Sequence, residues 1–471
     1  MKRLINNFLK NENNLLFYTV VLSLVLFSII PSLRILFHDS IMVGDISYYH
    51  IRIADYLRSN QIPDKDPLTG SPYTLNPYHL LLAKTSLLFG LYWSSILIPF
   101  FLGMSSSILL YLILKKLGIN KFTRFLIITI FIFSPLSLYT FSTSNAYALP
   151  LTLFMAGFYF FIQEKKHYMP LSVIFFSSLS FFDFEIILFS SLIIISYLFY
   201  KRDFVLKSVL SLLFIIIIAA INKKFEISQL NISSLSLTNI VSDLGAYYGF
   251  GVFNIFLAFI GLYIVWRMKK YILPYLLLLF IVVLSLYFNP LVLYLNLIFA
   301  ILSGYSLTAF VVLNWRLQPI KFLTILIIAC GLLFSAVSYL NRISNELPDK
   351  DIVKAMEWLK DNSQDNKIVF SSGKNTDWIN TIANRQTVII HQNKNRSLIE
   401  QANELFQSRN LEKTKGIMKG CNISYILITK EMRNGGVWVK EDQGLLFLFR
   451  NKREFRQVYY NQGAEIWDVL K

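Results

Sequence analysis

The residues able to do chemistry in this chain are gathered in a few polar stretches between long apolar runs. The first reads MVGDISYYHIRIADYL and continues PDKDPLTGSPYTLNPYHLLLA, which sets Asp45, His50, Arg52, Asp64, Asp66 and His79 just behind an apolar helix. A carboxylate near that low-dielectric boundary can hold a divalent cation or take a proton from an acceptor. An ordinary solvated loop with helix caps has the same composition, so only geometry makes these residues a site. A second stretch, FFDFE, places Asp183 and Glu185 two residues apart. An irregular turn could aim both carboxylates at one cation, or the acids could simply serve the polarity of a tight turn. STSNAYA offers only the neutral Ser144 and Asn145, while Asn222, Lys223 and Lys224 open a stretch whose ammonium groups could meet lipid phosphates.

The elements that position these residues follow from hydropathy. The chain has 471 residues, 55% of them hydrophobic, and a mean hydropathy of +0.52, more apolar surface than a soluble protein of that length can hide. Lipid must take the remainder, and 41 Phe and 26 Tyr suit lipid-facing helices and interfacial belts. Apolar runs long enough for the hydrocarbon core predict eleven transmembrane helices: Asn14 to Phe37, Tyr92 to Leu114, Phe122 to Phe141, Ala146 to Ile162, Met169 to Phe182, Phe184 to Tyr200, Phe204 to Ile221, Gly251 to Trp266, Ile272 to Phe288, Leu291 to Trp315 and Phe322 to Leu340. Met169 to Tyr200 read as one helix would be about 48 Å long and would bury Asp183 and Glu185 in mid-membrane. Splitting it at FFDFE spares that cost of about 2.5–3.5 kcal/mol per acid.

The split also places KKLGINK, QEKKHY, YKRD, WRMKKY and the stretch from Trp315 to Lys321 on one side of the membrane. By the positive-inside bias that side is the cytoplasm. The expectation is a multi-pass protein of the cell membrane with a cytoplasmic N-terminus, outer loops at 38–93 and 222–250, and an extracytoplasmic C-terminal domain. The net charge of +17 then belongs to short cytoplasmic loops, and no nucleic acid is expected as a partner. Two cysteines, Cys330 and Cys421, do not imply a disulfide framework.

Residues 1–340 thus form a transmembrane domain and 341–471 a separate α/β domain. The latter opens with DKDIVKAMEWLKDN, where Ile352, Val353, Met356 and Leu359 recur at helical spacing behind an Asp349 cap. Short β-rich runs at KIVF, TVII, SYILIT and LLFLF alternate with helical stretches around Ser397 to Ser408 and Leu411 to Lys419.

An acid at the start of a long first outer loop, a later long loop and an outer C-terminal domain together resemble the C-type (GT-C) glycosyltransferases. Within them the chain is most similar to the catalytic subunit of oligosaccharyltransferase in its archaeal and bacterial single-subunit forms. The most specific stretches are TDWINTIANRQTVII and CNISYILITKEM, which resemble the segment after that family's Trp-Trp-Asp-Tyr-Gly motif. The resemblance implies that Asp45 is the first-loop Asp that binds metal and contacts the acceptor, with His50, Arg52 and His79 beside it; Arg52 and His79 are candidates for binding the cofactor. TNIVSDLGAYYGFG resembles the short motif ending in an acid, so Asp243 becomes a second catalytic candidate.

Three positions depart from the pattern. Ser144, Asn145 and Ala146 stand where the family has paired acids, Ser372, Gly373, Lys374, Asn375 and Thr376 replace the Trp-Trp-Asp-Tyr-Gly motif, and Asn289 and Pro290 occupy the turn where a basic residue meets donor phosphates. Asp183 and Glu185 could substitute for the lost acids as metal ligands with Asp45. The resemblance implies a glycosyltransferase that moves a sugar or oligosaccharide from a polyprenyl-phosphate-linked donor to a protein, lipid or glycan acceptor at the outer membrane face, aided by a divalent cation (Mg or Mn). Single-sugar transfer to a lipid or glycan, or a non-catalytic paralogue that binds the polyprenyl-linked glycan, are the competing readings.

Overall fold

The computed structural model describes residues 12–37, 42–59, 65, 66, 68, 70, 73, 75–163, 166–201, 240–267, 272–287, 289–388 and 396–470. The expected helix Phe204 to Ile221 lies outside the described residues, as do Asp64, Asn222, Lys223 and Lys224. Thirteen described helices precede the C-terminal domain: α1 (Glu12–Phe37), α2 (Gly44–Arg58), α3 (Pro77–Phe89), α4 (Leu91–Lys116), α5 (Lys121–Phe133), α6 (Pro135–Ser142), α7 (Ala148–Phe161), α8 (Met169–Ser178), α9 (Phe184–Lys201), α10 (Val252–Arg267), α11 (Leu273–Tyr287), α12 (Asn289–Val312) and α13 (Gln318–Ser344).

By length and composition, α1, α4, α13 and the Leu291–Val312 part of α12 are spans among the described residues. The pair α5–α6 makes a fifth, bent by 61°. The single helix expected over Phe122 to Phe141 is therefore two pieces. Pro135 has no N–H to continue the ladder, and Ser134 caps the new start by accepting from Ser137 N at 3.2 Å. Five shorter apolar helices follow, so the chain is a helical membrane protein in which up to five of the eleven expected spans are evident by length and composition among the described residues. The turn expected at FFDFE is present: α8 runs out through a 3₁₀ turn, Leu179–Phe181, and α9 starts at Phe184. The first loop, by contrast, folds into two helices, α2 and α3.

The chain forms two compact units. One comprises residues 1–31, 76–78 and 96–343. Its helices meet through small residues, as where a Cβ on Gly261 of α10 would strike the Leu302 backbone of α12, and through polar pairs such as Ser303 Oγ donating to Asn254 Oδ1 at 2.7 Å.

The other unit comprises residues 32–75, 79–95 and 344–471. It contains α14 (Lys350–Asn362), β1 (Ile368–Phe370), a helical stretch over 373–383, β2 (Gln386–Thr387), α15 (Arg396–Gln407), α16 (Leu411–Gly420), β3 (Ile423–Thr429), α17 (Gly444–Leu448), β4 (Phe455–Tyr460) and β5 (Ala464–Val469). The sheet order is β2-β1-β3-β5-β4, parallel from β2 to β3 and antiparallel beyond it. Asp349 caps α14 as expected, accepting from Ile352 N at 2.9 Å, and the helix buries Ile352, Ala355, Met356 and Leu359. LLFLF is a short helix, not a strand. Leu445, Leu446 and Leu448 enter the core with Phe406, Ile426 and Trp438 while Phe447 points outward, and a short apolar run carries no periodicity that separates the two states.

At the C-terminal end of α1, Arg34 is fully buried and donates to the carbonyls of Met42 and Pro348 at 2.7 Å, to Ser344 O at 3.3 Å and to Glu346 O. A guanidinium here satisfies the last carbonyl of α13 as well as the chain entering α2.

Candidate active site

Asp45, His50, Arg52 and His79 belong to the unit that holds the C-terminal domain, whereas Asp183, Glu185 and Asp243 belong to the other. Asp45 sits in the first turn of α2, where the helix dipole favours a negative charge, and its Oδ1 accepts from Ile46 N at 2.8 Å. The preceding Gly44 has φ +70, a conformation that a β-carbon would strain. Its N–H donates to Leu347 O at 3.2 Å and its carbonyl accepts from Trp378 Nε1 at 3.3 Å.

His50 and His79 form a buried pair, with His50 Nδ1 2.7 Å from His79 Nε2 and Tyr73 OH 3.0 Å from His79 Nδ1. Burial pushes His50 down to about 3, and burial together with the charge His50 would carry holds His79 well below the usual imidazole range. Burial favours the neutral form of both rings, in which one donates its N–H to the other, so the pair brings hydrogen bonds rather than positive charge. Arg52 is also buried, and its guanidinium lies 2.9 Å from Asp66 and 3.4 Å from Asp377.

In the other unit, Asp243 lies in a 3₁₀ turn, Ser242–Leu244, ahead of α10. Its Oδ2 accepts from Val252 N and from Ser335 Oγ, both at 2.8 Å, which makes it a remote cap for α10. Arg342 holds the turn by donating to Ser242 O at 2.8 Å and Ala246 O at 2.7 Å. Asp183 and Glu185 flank the start of α9, and their charges reach the buried phenols of Tyr147 and Tyr294. Ser144 and Asn145, at the place of the family's paired acids, are buried: Ser144 Oγ is 2.9 Å from Tyr78 OH, and Asn145 Oδ1 accepts from Tyr147 N at 2.9 Å.

Among the described residues no three His, Cys, Asp or Glu side chains gather as a metal cage.

Residues 372–376 are occupied structurally. Asn375 Nδ2 donates to Ser371 Oγ at 2.8 Å, Ser371 Oγ donates to Leu427 O at 2.8 Å, and Lys374 pairs with Glu431 at 3.0 Å on the surface.

Neither a known protein-family profile nor any curated protein sequence matches the chain. Solved structures do. The oligosaccharyltransferase AglB of Archaeoglobus fulgidus, solved with an inhibitory peptide and a dolichol-phosphate, superposes with a TM-score of 0.64 at 13% identity, over 97% of this chain and 74% of that one. ArnT of Cupriavidus metallidurans, bound to undecaprenyl phosphate, gives 0.55 at 11% identity, over 97% and 98%. The fold is that of the C-type glycosyltransferases. A third superposition, on the A. fulgidus enzyme in complex with Zn and sulfate, gives 0.59 at 15% identity over 96% of this chain and 73% of that one. The GT-C likeness drawn from the first loop and the C-terminal segment therefore holds for nearly the whole chain.

Sequence reasoning passed over Arg34, Tyr73, Thr381 and Arg342. An arginine at the end of an apolar helix is a signal in itself, because burying it demands a dense set of acceptors. No comparable signal marks Tyr73, or Thr381, whose partner Tyr48 lies 333 positions away.

Proposed function

We propose that the chain is a membrane glycosyltransferase that moves a sugar from a polyprenyl-phosphate carrier to an acceptor, with Asp45 as the catalytic carboxylate. The observation that carries this reading is the GT-C likeness over almost the full chain to two proteins whose structures contain a dolichol- or undecaprenyl phosphate. In the reaction the acceptor's heteroatom attacks the anomeric carbon as the bond from that carbon to the carrier phosphate breaks. The acceptor proton passes to Asp45, and the carrier leaves as its phosphate. A divalent cation, when bound, neutralises the charge developing on that phosphate, and Asp45 would be one of its ligands. The neutral His50–His79–Tyr73 chain can orient hydroxyl groups without adding charge, and Asp243 secures the turn before α10.

One observation favours a lipid or glycan acceptor over a peptide. The 371–376 segment is knit into its own domain through Ser371, Asn375 and Leu427, in place of the residues that read a sequon. The outer membrane face, the cell membrane and the extracytoplasmic C-terminal domain belong to the same proposal. Purified full-length protein in lipid vesicles, given defined polyprenyl-phosphate sugar donors and both peptide and lipid acceptors, tests it. Metal-stimulated product that Asp45→Ala abolishes supports the reading; lipid binding without turnover supports the non-catalytic paralogue.

A further inference from the structure

The segment that sequence reading found most specific, TDWINTIANRQTVII, contributes no residue to the proposed reaction. Its placement suggests another task. Gly44, Tyr48 and Arg52 of α2 are spaced four apart, so they fall on one helix face at three successive turns. Each is held from the 377–381 segment. Trp378 Nε1 donates to Gly44 O at 3.3 Å, Thr381 Oγ1 donates to Tyr48 O at 3.0 Å, and Asp377 accepts from Arg52 at 3.4 Å. All four side chains other than Thr381 are buried or lie within the helix face they hold, and Thr381 is half-buried.

The start of α2 needs such support. Val43, its N-cap residue, makes no side-chain capping bond, so the first turn relies on other partners, among them Leu347 O for Gly44 N and Asp45 Oδ1 for Ile46 N. Asp45 lies in that turn, one residue after the carbonyl that the Trp378 indole grips.

We propose that Trp378, Thr381 and the Arg52–Asp377 pair are positioning residues for Asp45, so that the C-terminal domain serves this chain by fixing the catalytic helix rather than by reading a peptide sequon. The proposal rests on Asp45 being the catalytic carboxylate. Trp378→Phe keeps an aromatic ring in the buried site and deletes one N–H; Thr381→Val keeps the shape and deletes one O–H.

The test is hydrogen exchange on the full-length protein in nanodiscs, read at the amides of residues 44–50, beside its thermal unfolding and its transfer kinetics. In either variant these amides should exchange about fivefold faster, the consequence of one lost hydrogen bond, with unfolding temperature unmoved. kcat should fall by roughly tenfold or more with KM unchanged, because a displaced reacting group costs rate rather than binding. Unchanged exchange at 44–50 overturns the proposal, and so does faster exchange throughout the domain with a lowered unfolding temperature, the signature of a purely structural role. Local exchange that responds as expected while Asp45→Asn retains full transfer would instead remove the catalytic reading and leave the mechanical link standing.

Discussion

Asp45 and Asp243 occupy similar places, each in a turn ahead of or opening a helix and each near an arginine from the end of a long apolar helix. On the proposed reading they do different work. Asp243 spends one oxygen on Val252 N and Ser335 Oγ, and so ties α10 to α13. Asp45 gives Oδ1 to the adjacent Ile46 N, while its surroundings are held through backbone carbonyls gripped by other residues. One carboxylate is a structural tie. The other is a group whose backbone is immobilised by others, which is the arrangement expected of a reacting group.

The largest expected effect separates the two acids. Asp45→Asn should cut transfer by about 10²–10⁴-fold, the range for loss of a general base, with unfolding temperature preserved. Asp243→Asn should instead mainly lower stability. Near-equal loss of kcat for both, at unchanged stability, would erase the contrast.

The two arginines come next. Arg34→Met would strand several buried carbonyls and should cost about 3–5 kcal/mol, whereas Arg342→Met, at a half-buried arginine that holds only two turn carbonyls, should cost about 1–2 kcal/mol. Thermal or denaturant unfolding in detergent would rank them, and equal losses would show that the two turns are held with equal force.

The His50–His79 pair gives the Asp45 unit a pH dependence set by imidazoles. Both imidazoles have lowered folded-state values, so the unfolded chain binds protons first. Their contribution is complete above about 6.5 and is lost as pH falls toward the folded value of about 3 for His50. Between pH 6.5 and 5 the loss should be on the order of 2 kcal/mol per imidazole. Unfolding midpoints measured across that range should fall with pH, and the slope should flatten in His50→Gln.

The smallest effect is expected at Lys374, whose pair with Glu431 is solvent-exposed. Lys374→Ala should change stability by about 0–1 kcal/mol and leave transfer unchanged. A large loss of transfer would restore an acceptor-reading role to the 372–376 segment.

Much of the architecture was legible because water and lipid impose it locally. Apolar run length marked the spans, the cost of mid-membrane acids placed the turn at FFDFE, and the Asp349 cap with its helical spacing marked α14. Legibility failed where local signals conflict or are short. SPLS hid a break inside one apolar run, LLFLF lacked a decisive period, and the polar first loop concealed α2 and α3, whose helicity depends on what they pack against.

The sequence by itself determined that this is a lipid-embedded helical protein with a small α/β domain, and it singled out Asp45 and the TDWIN segment as separate points of interest. Only the tertiary structure decided that the two are linked, since Trp378 and Gly44 are 334 positions apart. It likewise decided that Arg52 faces carboxylates and that the two histidines stay neutral. Chain-length hydropathy follows from composition, but a hydrogen bond between distant residues and the burial that sets a proton's affinity exist only once the chain has folded.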